Sequence, residues 1–388
     1  NVPTLRFAEY TDEWHKFALS DFVTRITRRN KNNESSLPLT ISAQYGLVDQ
    51  ITFFNKTVAS VDLSGYYLLY NGDFAYNKSY SNDYAWGAVK RLDKYEKGCL
   101  SSLYFVFRPT DKVDSDYLTH YFETNKWHKG ISDIAGEGAR NHGLLNMSVD
   151  DYFATKHYLP TLPEQRKIAD FLNLIVKRIE IQNKIISKYE TLIKGISNIL
   201  IHSFSLHSKV KLSDILLEYN ERTQINNEYP ILSSTMNGIF AQSDYFNKQA
   251  ASEDTIGYKK VPYGYCTYRS MSDTGVFKFN LQKVVDLGIV SPAYPVFTST
   301  VYDIDFVVFY MNNAISFKRQ ILEAKEGGTR FALSYSKLID LTIPNIPKIQ
   351  QKKIVDTYST FSKKIEIEKA ILSKLKEQKD YLLSKMFI

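Results

Sequence analysis

Two long stretches of the chain carry apolar residues at steps of three and four, the spacing of one face of an α-helix. One stretch follows Pro163 and the other follows Pro347, and proline is tolerated in a first helical turn because its missing N–H has no partner there. Each stretch predicts a helix of about 40 residues, or about 60 Å at about 1.5 Å per residue. The positions that we expect to pack are Ile168, Phe171, Ile175, Ile185, Leu192 and Ile196 in the first helix, and Ile354, Phe361, Ile365, Leu372, Leu375 and Leu382 in the second.

An apolar stripe of this length is too long for one small domain to cover, so the pattern favours packing of the two helices against each other. An antiparallel coiled coil then places one globular part at each end. The alternative is that each helix covers only its own globular part. Gln182 and Glu368 interrupt the stripes near their middles, where they either fix the helix register or, as we expect, occupy solvated surface positions.

Outside the helical stretches, short apolar and aromatic runs are bounded by Gly, Pro and Asn, which is typical of β-strands. The runs at 66–70, 103–107, 284–290 and 306–310 predict strands, whereas the mixed spacing at 116–126 and 303–322 predicts helices. The expected fold class is therefore α+β.

The chain also repeats itself. Leu19-Ser20-Asp21 recurs 193 residues later as Leu212-Ser213-Asp214, and an ordered series of matches follows. The series includes Arg29 with Arg222, Asn33 with Asn227, Gly46 with Gly238, Gly72 with the glycine at 264, and Pro163 with Pro347. This duplication predicts a globular part at 1–158, a long helix at 159–206, a second globular part at 207–342 and a second long helix at 343–388.

Composition narrows the class of protein. The 388 residues are 44% hydrophobic and 23% charged, and no apolar run reaches the length of a membrane span, so we expect a soluble chain with more than one domain. The presence of only two cysteines and the lack of a signal-peptide plan at the first residues both favour the cytoplasm. The chain has a net charge of +7, but the two helical stretches alone sum to +8, which leaves −1 for the rest. Bulk charge is therefore weak support for DNA binding by the globular parts.

A search for catalytic motifs finds none. The sequence contains no Gly-x-x-x-x-Gly-Lys-Ser/Thr phosphate loop, no Asn/Asp-Pro-Pro-Tyr run of amino-group methyltransferases, no His-Glu-x-x-His and no Cys-x-x-Cys. A non-catalytic binding chain is the favoured interpretation. An enzyme with unrecognised motifs and a coiled-coil scaffold without sequence preference are the alternatives from other classes.

Both globular parts contain the mixture of side chains that reads DNA, in which donors and acceptors reach base edges and cations contact phosphates. For any one of these residues, an ordinary solvated loop position is an equally good explanation. Equivalent positions of the two copies differ, since Gln44 aligns with Met236 and Asn77 aligns with Arg269. Such differences suit two domains that recognise different DNA sequences. The candidates from the residue pattern are Arg28, Arg29, Tyr76, Asn77, Lys78, Arg140 and Asn141 in the first part, and Arg222, Tyr268, Arg269, Ser270 and Arg330 in the second.

Several segments resemble the specificity subunits of type I restriction-modification systems. Their central region is matched by Leu159-Pro160-Thr161-Leu162-Pro163-Glu164-Gln165-Arg166-Lys167-Ile168-Ala169 and the helix that follows. Their start is matched by Val2-Pro3-Thr4-Leu5-Arg6-Phe7 with Trp14, and their glycine-arginine loops by Gly138-Ala139-Arg140 and Gly328-Thr329-Arg330. The resemblance covers essentially the whole chain, but Pro347 is followed by Lys348-Ile349-Gln350-Gln351 where Pro163 is followed by Glu164-Gln165.

The resemblance implies a non-catalytic subunit with two α/β target-recognition domains, separated by a pair of antiparallel helices. Each domain reads one half of a split site in double-stranded DNA. The helices set the unread gap and dock two methyltransferase subunits, and restriction and translocase subunits join the complex. These partners, rather than this chain, bind S-adenosylmethionine, ATP and Mg²⁺. A specificity subunit of a methylation-only or type II-like system is the nearest alternative.

The same resemblance assigns base readout to particular loops. They are the loops around Ser42, Gln44 and Tyr45, around Ser234, Met236 and Asn237, and around Tyr76 and Tyr268. It assigns Arg140 and Arg330 to contact with phosphates or a groove.

Overall fold

The computed structural model describes residues 1–56, 59–60, 62–80, 84–136, 143–204, 207–242, 254–324 and 331–388. The chain forms two compact units, one of Asn1–Asn183 with Ala370–Ile388 and the other of Lys184–Lys369. This division cuts both long helices near their middles. Each unit therefore contains one globular domain and part of each helix.

The first unit combines antiparallel strands with short helices. Its strands are β1 (His15–Ala18), β2 (Val23–Arg25), β3 (Leu39–Ser42), β4 (Gly46–Asp49), β5 (Tyr67–Tyr70), β6 (Phe74–Asn77), β7 (Ala88–Arg91), β8 (Lys97–Leu100), β9 (Phe105–Pro109) and β10 (Lys156–Leu159). Its helices are α1 (Gln50–Phe54), α2 (Ser115–Phe122), α3 (His128–Ile134) and α4 (Val149–Ala154), followed by the long α5 (Leu162–Ser203). A four-stranded sheet has the order β2-β9-β6-β7, and β1 pairs with β10, β3 with β4 and β5 with β8.

The second unit repeats this plan. Its strands are β11 (Lys209–Lys211), β12 (Leu217–Glu218), β13 (Leu232–Thr235), β14 (Gly238–Ala241), β15 (Lys259–Pro262), β16 (Cys266–Thr267), β17 (Met271–Ser272), β18 (Asn280–Leu281), β19 (Leu287–Val290), β20 (Val296–Thr298), β21 (Phe331–Ala332) and β22 (Thr342–Pro344). Its helices are α6 (Ile304–Asn313), α7 (Ile315–Ala324) and α8 (Tyr335–Ile339), followed by the long α9 (Lys348–Met386). The sheet β12-β20-β16-β18 and the pairs β11–β22, β13–β14 and β15–β19 match those of the first unit, and the β17–β21 pair corresponds to a single antiparallel bridge between Ser79 and Leu144. The matching topology confirms the α+β class and the internal duplication.

The core of the first unit joins its domain to both long helices. Phe107 and Tyr117 of the domain, Leu172 of α5 and Leu382 of α9 belong to one buried cluster. The ring of Phe387, just after α9, lies 5.3 Å from that of Tyr117. In this unit, therefore, α5 begins at the core and α9 ends at it.

The second unit has the reverse arrangement. Phe204, just after α5, and Ile354, near the start of α9, share a buried cluster with Phe306 of the domain. Farther along the same two helices, Lys369 Nζ of α9 lies 2.8 Å from Glu190 Oε1 of α5. Since α5 ends at this core and α9 begins at it, the predicted antiparallel direction of the helices is confirmed.

Equivalent glutamines fasten the start of each long helix to its domain. Gln165 Oε1 accepts the N–H of Asp114 at 2.8 Å, and its Nε2 donates to the carbonyl five residues earlier at 2.9 Å. Gln351 makes the same contacts, at 2.8 Å with Asp303 N–H and at 2.7 Å with the carbonyl five residues earlier. Pro163 lies two residues before its glutamine and Pro347 lies four residues before its own. The departure of the sequence after Pro347 therefore moves the proline and leaves the glutamine contacts intact.

The N-terminal segment is tied to the start of α5. Arg6 forms a two-pronged ion pair with Glu164, with Nε 2.7 Å from Oε1 and Nη2 2.8 Å from Oε2. Trp14 Nε1 donates to the same carboxylate at 3.3 Å, and Glu164 is 1% exposed. Because a buried carboxylate must be paired, this contact fixes the segment against the helix.

The structure confirms the helices predicted within 303–322 and corrects the expectation of a strand at 306–310. These residues lie in α6, whose first turn is capped by the Asp303 carboxylate, which accepts the N–H groups of Asp305 and Phe306. Most of the helix is buried, including every residue from Phe306 to Met311. A helix that is buried on several sides reads as a continuous apolar run, which periodicity cannot distinguish from a buried strand.

The packing stripe also needs correction. Leu192 is 45% exposed, and Ile186, about 240° away around the helix, is buried instead. Gln182 and Glu368 are 8% and 7% exposed, so the expectation of solvated positions is wrong. The other predicted packing positions are buried at Ile168, Ile175, Ile354, Ile365, Leu375 and Leu382, and half-buried at Phe171, Ile185, Ile196, Phe361 and Leu372.

Candidate DNA interface

The β3–β4 and β13–β14 hairpins present exposed side chains suited to base contacts. Gln44 and Tyr45 are exposed at the tip of the first hairpin, and Met236 and Asn237 are exposed at the tip of the second. The two tips occupy equivalent places in the two domains, because each hairpin pairs only four residues on either side of its turn. They therefore place different chemistry at the same position of a common fold.

Each hairpin is held by a leucine that packs over a glycine. Leu39 lies over Gly98 of β8, and Leu232 lies over Gly288 of β19. A Cβ added to Gly98 would lie 2.5 Å from Leu39 Cδ1, and one added to Gly288 would meet Leu232 Cδ1. A larger residue at either glycine would displace the leucine from its place, and the two hairpins are seated in the same way.

Tyr76 and Tyr268 do not face solvent, so the expectation that they read bases is wrong. Both are 0% exposed. The Tyr76 hydroxyl donates to the Trp86 carbonyl at 2.9 Å and its ring stacks 4.7 Å from that of Tyr152, while the Tyr268 hydroxyl donates to the Leu333 carbonyl at 2.9 Å. Burial raises the pKa of both hydroxyls, which keeps them neutral. Both tyrosines belong to the domain cores.

Ser42 and Ser234 also turn into their domains. They are 9% and 6% exposed. Ser42 Oγ accepts the N–H of Tyr45 at 3.1 Å, and Ser234 Oγ accepts from Asn280 Nδ2 at 2.9 Å. These hydroxyls shape the hairpins, and their contact with bases stays a prediction.

Arg28 is committed to a structural ion pair. Its Nη2 lies 2.9 Å from Asp73 Oδ2, its Nε donates to the Leu68 carbonyl, and its guanidinium lies 4.2 Å above the Tyr70 ring. Asp73 is 0% exposed and is also bonded at 2.6 Å by Arg108 Nε, whose side chain is 44% exposed. Arg28 is therefore not the free cation that the sequence suggested. Two arginines on one carboxylate leave one positive charge, and Arg108 was missed because it lies within a strand rather than in a loop.

Arg29 and Arg222 keep equivalent positions. Arg29 Nη1 donates to the Gly65 carbonyl at 2.6 Å, and Arg222 Nη1 donates to the Gly257 carbonyl at 2.9 Å. The Arg29 guanidinium also lies 4.2 Å from the Tyr67 ring. Since a guanidinium has five N–H donors, each arginine retains donors for a phosphate.

The second predicted loop differs between the domains. Asn77 and Lys78 are half-buried, and Lys78 Nζ lies 5.3 Å from the centre of the Phe105 ring. Arg269 is exposed, whereas the Ser270 hydroxyl donates to a backbone carbonyl at 2.9 Å. Arg269 is thus better placed for DNA than its counterpart in the first domain.

The predicted residues Arg140, Asn141 and Arg330 lie outside the described residues. Within the described part of the chain, no group of three or more His, Cys, Asp or Glu side chains is arranged to hold a metal ion. No helix in that part has the length and hydropathy of a membrane span.

α5 exposes apolar residues in both units. In the first unit Leu174 is 65% exposed and Ile181 48%, and in the second Leu192 is 45% exposed and Ile199 72%. The members of each pair are seven residues apart and therefore share one helix face. Gly195 lies between the second pair, and a Cβ there would meet nothing within 4 Å. Exposed aliphatic side chains in a row are typical of a surface that binds a partner.

Comparison with known proteins shows which solved structures share this fold. No protein-family model matches the chain. The chain is similar to the S subunit of a type I restriction-modification system from M. genitalium, with a TM-score of 0.56 at 14% identity over 100% of this chain and 99% of that chain. It is also similar to a chain from a structure of complex assembly and conformational transition in the type I R-M system, with a TM-score of 0.54 at 13% identity over 98% of each chain. The likeness extends over the full length, and this chain therefore has the fold of these proteins.

Proposed function

We propose that this chain is the DNA-binding specificity subunit of a type I restriction-modification complex. The observation that carries the proposal is the full-length likeness in fold to an S subunit. The duplicated domains support it, because they present Gln44 and Tyr45 in one copy and Met236 and Asn237 in the other. Two readers of one design with different tips suit the two halves of a bipartite target.

The exposed hairpin residues have the chemistry for reading bases in the major groove. An Asn or Gln amide pairs with both N6 and N7 of adenine, and each such contact discriminates against a wrong base by about 1–3 kcal/mol. The spare donors of Arg29 and Arg222 would bind phosphates and set the position of each domain on the duplex.

The exposed faces of α5 support docking of two methyltransferase subunits, one on each unit. On this proposal the partners bind S-adenosylmethionine and methylate adenine, and restriction subunits supply ATP- and Mg²⁺-dependent translocation and cleavage. The chain itself contributes recognition and no chemistry. It would act in the cytoplasm, where it meets its DNA target.

Reconstitution tests this function. The purified chain with labelled S-adenosylmethionine and DNA should transfer no methyl group alone, and should direct methylation of one bipartite sequence when the two methyltransferase subunits are added. Methylation by the chain alone would make it an enzyme. Assembly without any sequence preference would make it a scaffold.

The hairpin tips provide a finer test. Gln44→Ala should relax selectivity in one half-site only, and Asn237→Ala should relax it in the other half only, each by about tenfold or more at one base pair. Sequencing of the methylated products of a random-target library measures both. A change in both halves caused by either variant contradicts the division of labour.

A further inference from the structure

An aromatic group lies beside the first hairpin tip. The Tyr45 ring is 6.3 Å from that of Phe53, which is 5.0 Å from that of Phe54. Tyr45 is 60% exposed, and Phe53 and Phe54 are each 43% exposed. We call these three residues the aromatic platform. Ile51, 44% exposed, adjoins it in sequence. A contiguous exposed cluster of this kind indicates a binding surface.

The platform is held firmly by its surroundings. The Asp49 carboxylate caps α1, with Oδ1 accepting the N–H of Ile51 at 3.0 Å and Oδ2 accepting the Thr52 hydroxyl at 2.5 Å. The Asp49 N–H donates to the Tyr95 hydroxyl at 3.1 Å. Two of the platform residues therefore project from a capped helix that is fixed to the domain, so their exposure is a property of the fold.

The sequence of this segment is duplicated. Gln50-Ile51-Thr52-Phe53-Phe54-Asn55-Lys56 corresponds to Gln242-Ser243-Asp244-Tyr245-Phe246-Asn247-Lys248. Residues 243–248 lie outside the described residues, so this correspondence is one of sequence. Two aromatic residues followed by Asn-Lys are kept in both copies, whereas the hairpin tips differ. A feature shared by two readers of different half-sites performs a task that does not depend on the base sequence.

The position of the platform favours DNA as its occupant. Tyr45 belongs both to the platform and to the base-reading hairpin, so the two surfaces are continuous. Aromatic rings stack on bases of any identity, and apolar side chains inserted at a base step unstack it. Lys56, which is exposed and follows directly, supplies a cation for a phosphate.

We propose that the aromatic platform stacks on the DNA duplex beside the half-site while Lys56 binds the adjacent phosphate. This inference rests on the proposed function and adds a contact that supplies affinity without selecting sequence. It also offers a way to distort the duplex next to the base that is to be methylated.

The test uses the chain assembled with its methyltransferase subunits, fluorescent duplexes of the methylated motif, and duplexes with that motif scrambled. The double variant Phe53→Ala/Phe54→Ala should weaken binding to both duplexes about equally, by about tenfold or more, and leave the methylated motif unchanged. Phe53→Leu/Phe54→Leu keeps an apolar surface without stacking rings and should weaken binding to a similar degree. Leu103→Ala, which alters a 60% exposed residue elsewhere in the domain, is the control and should have no effect.

Three results would overturn the inference. They are unchanged DNA affinity in the alanine variant, wild-type affinity in the leucine variant, and loss of methyltransferase binding in the absence of DNA, which would make the platform a protein interface. Thermal unfolding of each variant checks that the domain stays folded. Failure of the wild-type complex to bind any sequence selectively would instead refute the proposed function, so the two failures are distinguishable.

Discussion

Glu164 is the residue through which the N-terminal segment and α5 depend on each other. Glu164→Gln leaves Arg6, whose side chain is 12% exposed, without its counter-ion. We expect the free energy of unfolding to fall by about 3 kcal/mol, as when one partner of a buried pair is removed. Urea unfolding followed by circular dichroism measures it. Lys167, on the same helix, forms an exposed ion pair with Glu9 of the N-terminal segment, and Lys167→Gln should change the free energy of unfolding far less. Equal losses would contradict the account.

His157 makes the first domain sensitive to acid. Its Nδ1 and Nε2 each lie 2.8 Å from a hydroxyl, of Tyr121 and Thr155 respectively. The Thr155 hydroxyl donates to a carbonyl at 2.7 Å, so it accepts from Nε2–H, and Nδ1 accepts from Tyr121. Burial lowers the pKa of His157 from its ordinary 6.5 to about 4. Between these values the unfolded chain binds a proton that the folded chain does not, and stability falls as pH falls.

A variant series isolates this effect. As the pH falls from 6.5 to 4, the unfolded chain protonates this histidine and the folded chain does not. The free energy of unfolding therefore falls by up to about 1.4 kcal/mol per pH unit. His157→Gln should therefore lose less stability than the wild type between pH 7 and pH 5, as measured by urea midpoints at each pH. His15→Gln, at an exposed position, should follow the wild-type slope. A wild-type slope in His157→Gln would show that the histidine does not carry the effect.

The residue scale is also where sequence reasoning is weakest. Tyr45 and Tyr76 both adjoin loops in the sequence, yet one is 60% exposed and the other 0%. Tyr45 lies in the turn between β3 and β4, whereas Tyr76 lies in β6, where residues 74–76 are all buried. The sequence does not say which of these two positions the core covers. Arg28 shows the same limit, because its partner Asp73 is distant along the chain and becomes a neighbour only in the folded sheet.

At the scale of elements, Gly195 tests the docking role of α5. A glycine inside a helix costs about 1 kcal/mol relative to alanine, and the space beside this one is open. A partner that approaches closely would explain the glycine. Gly195→Leu should leave the chain folded, with α5 slightly more stable, and should weaken methyltransferase binding about tenfold through overpacking at the interface.

Isothermal titration with the purified methyltransferase subunit measures that affinity. Ser132→Leu adds the same side chain at an exposed position of α3 and should bind as the wild type does. Wild-type affinity in Gly195→Leu would remove this face from the docking surface.

The long helices could be predicted because their apolar periodicity extends over many turns. α6 is ambiguous, because the sequence predicts a helix at 303–322 and a strand at 306–310 within it; its residues from Phe306 to Met311 are all buried and carry no polar alternation. The deviation at Leu192 has a related cause. Apolar residues at steps of three and four fit several neighbouring stripes on the helix surface, so the sequence does not determine which stripe is buried. In the structure the buried stripe of α5 contains Ile186.

At the scale of the whole molecule, the duplication could be predicted because turn residues have fixed conformational requirements. Asn33 and Asn227 have φ values of 52° and 55°, and Gly72 and Gly264 have values of 87° and 81°. Residues that tolerate positive φ are retained at equivalent turns, so they keep the register of the two copies visible. The loop surfaces have no such requirement. The sequence therefore predicts two alike domains without telling which side chains reach DNA.

The central claim is that the two units together read one split target and direct its methylation. Genome-wide mapping of methylated adenine, compared between the source strain and a strain that lacks only this chain, tests it most directly. The account predicts the loss of one bipartite motif and its return when the chain is supplied again. An unchanged pattern of adenine methylation in the deletion strain, which still expresses its methyltransferase subunits, would contradict it.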